Sequence, residues 1–197
     1  MQKDMRSLTF LLMIMVVNTA MAQSPDIEIT TKSNSTYEQK VAKRVEGLLE
    51  EYDLSKWIFT RKVLVEDHVI PHSHPVLTLN TKKQGNDGLL STFIHEQLHW
   101  HFEEHKDAER AAIAELKTMY KDVPVGNGEG ARDEYSTYLH LMVCYLEYVG
   151  LMELVGKERA EAVITKMNHY KWIYRQVLKD GEVISALIDK HQLNLKG

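Results

Sequence analysis

The chain has 197 residues, enough for one domain with a substantial core. Its net charge of −4, without a basic patch, argues against nucleic acid or an anionic membrane as partner. Its single cysteine, Cys144, excludes an internal disulfide, so stability must come from packing or from a bound metal. Cys144 lies in an apolar stretch and reads as a buried, inert thiol.

At the start, MQKDMR is short and basic, LTFLLMIMVV is apolar, and NTAMAQ has small residues at Ala20 and Ala22. This is the pattern of a secretory signal peptide over residues 1–22, cut between Ala22 and Gln23. The apolar run falls short of the ~20 residues a membrane span needs, and no other stretch reads as one. No cysteine follows the run to carry a lipid. Loss of Lys3, Asp4 and Arg6 with this segment leaves the mature chain one unit more acidic. The expected location is periplasmic or secreted.

Residues 23–36 are polar, with Ser, Thr and Pro, and read as a flexible leader. Residues 37–197 read as one domain. Val41, Val45, Leu48 and Leu49 have helical spacing, which predicts a helix from Tyr37 to Tyr52. WIFTRKVLV, residues 57–65, is rich in β-branched and aromatic residues and predicts one or two strands. Pro71 and Pro75 bracket His72 and His74; Val76 to Leu79 predicts another strand, and QGNDG a turn. One long helical pattern then runs from Leu89 to about Lys121 and ends at the loop VPVGNGEG. A second helix is expected from Asp133 to Leu154, a third from Lys157 to Lys179 stopped by Asp180-Gly181, and a short last one to His191. The expected fold is α+β, a small antiparallel or mixed sheet with a predominantly helical C-terminal half.

The stretch with most chemical content is TFIHEQLHWH, residues 92–101. On a helix, His95 and His99 lie on one face, one turn apart, and can point two imidazoles at one cation. Glu96 is offset by ~100°, so it can reach a metal-bound water from the side without binding the metal. Zinc accepts such nitrogen ligands, lowers the pKa of its water and polarises a carbonyl, while the carboxylate takes the proton. The competing explanation is coincidence, since the chain holds ten histidines. The apolar neighbours Phe93, Ile94 and Leu98 favour a partly buried helix and a real site.

With HEQLH at residues 95–99, the sequence resembles the zincin metallopeptidases, built on HExxH. Thr92 and the uncharged Phe93, Ile94, Gln97, Leu98 and Trp100 fit the wider pattern, whereas His101 departs from it. The match covers about ten residues and identifies no named family within the group. It implies His95 and His99 as zinc ligands, Glu96 as general base, a zincin-like domain and a peptide or protein substrate. In zincins a strand beside the active-site helix holds extended substrate by main-chain pairing, which would place His72 and His74 at the cleft.

The third ligand is open among three residues of RDEYSTYLHLMVCYLEY. The metzincin extension is missing, because WHFEEHKDAE follows His99. The gluzincin arrangement suggests Glu134. Helical geometry favours His140: at ~100° per residue, Asp133, Ser136, Thr137, His140, Cys144 and Glu147 form one stripe, with Glu134 about 120° away. Zinc at His140, with Glu147 and Thr137 supporting it, would satisfy a polar stripe on an otherwise apolar helix. Glu147 itself is the third choice.

His169, Tyr170, Tyr174 and Arg175 are candidates for a donor to a developing oxyanion, against a plain packing role for this aromatic stretch. His101, Glu103, Glu104 and His105 read as a mostly solvated face, with Glu103 able to support His99. GNGEG has no P-loop lysine and reads as no phosphate site. The expected function is an exported zinc-dependent metallopeptidase. Two alternatives stand beside it: a non-catalytic, metal-stabilised envelope protein, and a hydrolase of a non-peptide amide.

Overall fold

The computed structural model describes residues 26–195. The signal segment expected over residues 1–22 lies outside them. Over the described residues the fold is α+β, with a three-stranded sheet and six α-helices.

β1 (Glu28–Thr31) pairs with β2 (Lys62–Val65), and β2 with β3 (Leu77–Leu79), both in parallel. The sheet is therefore parallel, against the antiparallel or mixed pairing expected. The only antiparallel contact among the described residues is a bridge between His72 and Thr78. The physical reason is β1. It falls inside the stretch read as a flexible leader, and α1 (Thr36–Glu51) crosses from it to β2, as parallel neighbours require. β1 is an edge strand with only Ile29, and Ile27 just before it, packed on the core, so its hydrophobic signal is short.

α1 starts at a capping box: Ser35 receives the Glu38 N–H, and the Glu38 carboxylate receives the Ser35 N–H. Its Val41, Val45 and Leu48 are buried. After the short 3-10 turn Ser55–Trp57, Trp57 packs over Gly150, where an added Cβ would lie 3.0 Å from the indole. Gly150 thus permits a close approach that a larger residue would block.

The single helical pattern expected from Leu89 to Lys121 is two helices, α2 (Asn86–Glu104) and α3 (Lys106–Met119). The break is at His105, whose Nδ1–H donates to the His101 carbonyl at 2.7 Å and replaces a helical partner. α2 also begins inside the QGNDG stretch read as a turn. α4 (Glu134–Val155) is the central helix, packed against α2, α3, α5 and α6. It is long and apolar enough to cross a membrane by length and composition, contrary to the expectation that no further stretch would be; 61% of that window is buried inside the fold. An all-round apolar helix is what a core position requires.

The third predicted helix also divides. α5 (Lys157–Ile164) stops, and α6 (Lys171–Lys190) starts after Tyr170. Asp180-Gly181 then kinks α6 without stopping it. Ile173 and Val177 before the kink, and Ile184 and Leu187 after it, are all buried, so packing carries the helix through.

Candidate metal centre

The centre forms where α2 meets α4. Gln97 anchors α2 to the sheet side: its amide oxygen accepts from the Phe59 and Thr60 N–H groups, and its nitrogen donates to the Thr60 carbonyl. That leaves the opposite face of the helix, with His95 and His99, toward α4. Ring centroids lie 5.1 Å apart for His95–His99, 5.3 Å for His95–His140 and 4.9 Å for His99–His140. Ligand nitrogens from the three rings all lie within 4.8 Å of one another, so His95, His99 and His140 could hold one metal ion.

Neighbouring groups decide which nitrogens face inward. His140 Nδ1–H donates to the Ser136 carbonyl at 2.6 Å, leaving Nε2 for the centre. His95 Nδ1–H donates to Glu147 at 2.9 Å, again leaving Nε2. Metal-ligating histidines are held by their second nitrogen in this way. No hydrogen bond engages the His99 ring among the described residues.

Glu147 also receives the Tyr174 hydroxyl at 2.9 Å and a short hydrogen bond from Ser91. It therefore stands behind His95, a supporting position of the kind expected for it. Thr137 does not support His140: its hydroxyl accepts from the Ala131 N–H and serves the preceding loop. Ser91 escaped the sequence reading, although its position one turn before His95 on the same helix is a legible signal.

His95, Cys144 and Glu147 form a second group of similar span. Its donors are already engaged. Glu147 takes three hydrogen bonds, and burial pushes the Cys144 thiol up to about 11, so it keeps its proton. The two groups share His95, and the three-histidine group is the one built from imidazoles alone.

Burial holds His99 well below the ordinary histidine range, and His95 and His140 push it the same way. Burial, helped by His95, takes His140 down to about 3. For His95 burial opposes the charged form, yet Cys144 and Glu147 hold its pKa well above the usual value.

Glu96 is buried, and its carboxyl is raised by burial, with His95 and His72 opposing. Glu134 lies apart. Its side chain is 59% exposed and sits 3.6 Å from Lys117 on α3, so the group contains His140 and not Glu134.

The later candidates separate clearly. Tyr170 adopts the left-handed conformation, φ 55°, and its ring lies 4.4 Å from His140 and 5.8 Å from His95. The Gly-rich loop holds this turn: Lys171 and Trp172 N–H groups donate to the carbonyls of Gly128 and Glu129. At Gly128 (φ 74°) an added Cβ would sit 2.9 Å from the Asn168 carbonyl. His169 packs on Tyr170, Tyr174 holds Glu147, and Arg175 pairs with Glu129 at the surface.

His101 is buried and hydrogen-bonds the Leu193 carbonyl, so it is not part of a solvated face. Glu103 pairs with Lys106 at 2.9 Å, its side chain half exposed. His74 stacks on Trp100 at 4.2 Å, which packs it against α2. A cavity of about 450 Å³ opens at the other end of α2, lined by Asn86, Asp87, Arg159 and Lys166 among others. It contains none of the three histidines, and its Arg159 is already paired with Asp87. Donor convergence, rather than open volume, marks the chemistry here.

The fold and the site together define an α+β protein with a three-histidine group, two of its members buried and His99 half-buried, that could hold a metal ion. No protein-family model matches the chain, and no curated protein or solved structure matches it significantly.

Proposed function

We propose that the chain is an exported zinc-dependent hydrolase acting on peptides. The observation that carries this is the convergence of His95, His99 and His140, with Glu96 buried beside two of them on the same helix. Three imidazoles suit zinc, whose catalytic sites use three protein ligands and one open position. When bound, zinc supplies Lewis acidity toward water and a substrate carbonyl.

The chain's own groups do the rest. Glu96, offset from the ligand face, takes a proton from the attacking water and returns it to the leaving nitrogen. Its burial makes the carboxylate a stronger base than an exposed one. Glu147 holds the His95 ring in orientation, with Ser91 and Tyr174 fixing Glu147 in turn. Tyr170 supplies a hydroxyl for an oxyanion on the His140 side. HEQLH supports a zincin-like assignment; a histidine as third ligand departs from the gluzincin pattern.

The test is metal content together with peptide cleavage by the wild type and Glu96→Gln. One zinc per chain in both, with cleavage only in the wild type, supports the proposal; a metal-free, well-folded wild type sinks it. A second reading has its own observation. The Tyr170 ring packs 4.4 Å from that of His140, close enough to shield a bound metal from water, as in a metal-stabilised envelope protein. In that case the bound metal carries no exchangeable water and no peptide is cut. Substrate profiling separates a hydrolase of non-peptide amides.

A further inference from the structure

We infer that Gln97 is a positioning residue for the three-histidine centre. Its side-chain amide fixes the rotation of α2 against the segment Trp57–Thr60, and with it the aim of His95 and His99 toward His140. This rests on the metal-binding part of the reading above and not on the reaction.

The first observation is direction. Gln97 stands two residues after His95 and two before His99, so at ~100° per residue it points ~180° from the midpoint of the two rings. It holds α2 from directly behind the ligands. Side chains reach ~5–6 Å from a helix axis, so a rotation of ~10° moves a ligand ring by about 1 Å.

The second observation is the kind of hold. Leu90 and Phe93 share the back stripe of α2 and are buried. Apolar burial is non-directional, so it sets no rotation by itself. Gln97 is equally buried, but its amide is engaged at both ends. Oε1 accepts the Phe59 and Thr60 N–H groups, each at 2.8 Å, and Nε2–H donates to the Thr60 carbonyl at 2.9 Å. Three directional bonds to adjacent peptide groups give the side chain one orientation. One turn on, the His101 ring packs on Phe59 at 5.0 Å, so the segment lies against two successive turns of that stripe.

The third observation is what the segment is fastened to. Trp57 packs over Gly150 on α4, and Lys56 just before it pairs with Glu153 on α4 at 2.9 Å. At its other end the segment runs into β2. The backbone that Gln97 grips is therefore seated on α4, the helix that carries His140, and tied to the sheet. The rotation of α2 is set relative to the source of the third ligand. A residue that merely satisfied the Phe59 and Thr60 N–H groups would make the same bonds. The two roles differ in what the loss of Gln97 does to the metal.

The experiment measures Gln97→Met, Gln97→Glu and Leu90→Ala beside the wild type, each well below its unfolding transition. Methionine keeps the buried length and makes none of the three bonds. Glutamate keeps an acceptor for the two N–H groups and loses the donor. Leu90→Ala weakens the same stripe with no oriented bond to lose. Zinc affinity is read by competition with a chelator. Cobalt(II) in place of zinc reports ligand geometry through its visible bands. In Gln97→Met zinc affinity should fall by ~10–100-fold, the usual effect of losing a group that orients a ligand, and the cobalt bands should shift. Gln97→Glu should recover part of the loss, and Leu90→Ala should keep the wild-type affinity and bands. Wild-type affinity and bands in Gln97→Met would overturn the proposal. So would an equal loss in Leu90→Ala, which would make the effect one of stability alone. Should Gln97→Met not fold, Gln97→Glu is read in its place, and wild-type affinity and bands there overturn the proposal in the same way. A wild type that binds zinc and cuts no peptide would bring down the hydrolase reading and leave this one standing. A folded wild type that binds no metal would bring down both.

Discussion

The polar side chains of this chain fall into two regions with different rules. On the surface, Lys56 and Glu153 pair at 2.9 Å and Lys32 and Glu66 at 3.9 Å, with each partner at least a quarter exposed. Between α2, α4 and α6, Ser91, His95 and Tyr174 all converge on Glu147, which is 1% exposed. Surface pairs are screened and each contributes roughly 0–1 kcal/mol. The buried group is desolvated, so losing any member leaves its partners unpaired in a low-dielectric interior. Apolar residues could fill that volume with equal stability. Polarity kept there is what the proposed metal chemistry would use.

The comparison is tested hardest at Glu96. Glu96→Gln keeps the shape of a buried residue and removes the proposed base. Turnover should fall by ~10²–10⁴-fold while zinc is retained, as expected when a general base is lost. Peptide cleavage at the wild-type rate would show that the buried region is structural. Next is the choice of third ligand. His140→Ala should lose the metal, whereas Glu134→Ala, at an exposed residue, should bind it as the wild type does. Metal analysis of the two side by side decides, and the reverse result would place the metal elsewhere.

The sequence made the α2–α4 pairing legible and left much of its surroundings hidden. HEQLH names its own face because helical period is local. His140 could be chosen over Glu134 for the same reason, since a stripe on an apolar helix is visible in one segment. A supporting role for Glu147 was legible, but its partners were not. Its partner is on α2 rather than on its own helix, and only tertiary packing brings Ser91, His95 and Tyr174 to it. The parallel sheet was hidden likewise: β1 is four residues in a polar stretch, and strand direction depends on the crossover through α1. The breaks at His105 and Tyr170 were missed because each is stabilised by a non-helical hydrogen bond, from an imidazole in one case and to a Gly-rich loop in the other.

Glu147→Ala should weaken zinc binding by ~10–100-fold, the usual effect of removing a group that orients a ligand histidine. It should also lower the melting temperature of the metal-free protein, because His95, Ser91 and Tyr174 all lose their acceptor. Equilibrium dialysis and thermal unfolding read the two effects separately. If stability falls and zinc affinity does not, the network serves packing alone.

The smallest effects make the sharpest contrast. Tyr174→Phe removes one hydroxyl from the buried region, leaving Glu147 with Ser91 and His95; it should destabilise by about 1–2 kcal/mol. Glu153→Ala removes a whole surface carboxylate, yet should change stability by less than about 1 kcal/mol. The larger chemical change should thus have the smaller consequence. Both are read from urea unfolding, with the slope checked so that a change in midpoint reports stability and not a change in the unfolded chain. If Glu153→Ala proves as damaging as Tyr174→Phe, burial is not what separates the two regions. The case for a retained, functional polar core would then rest on the three histidines and Glu96 alone.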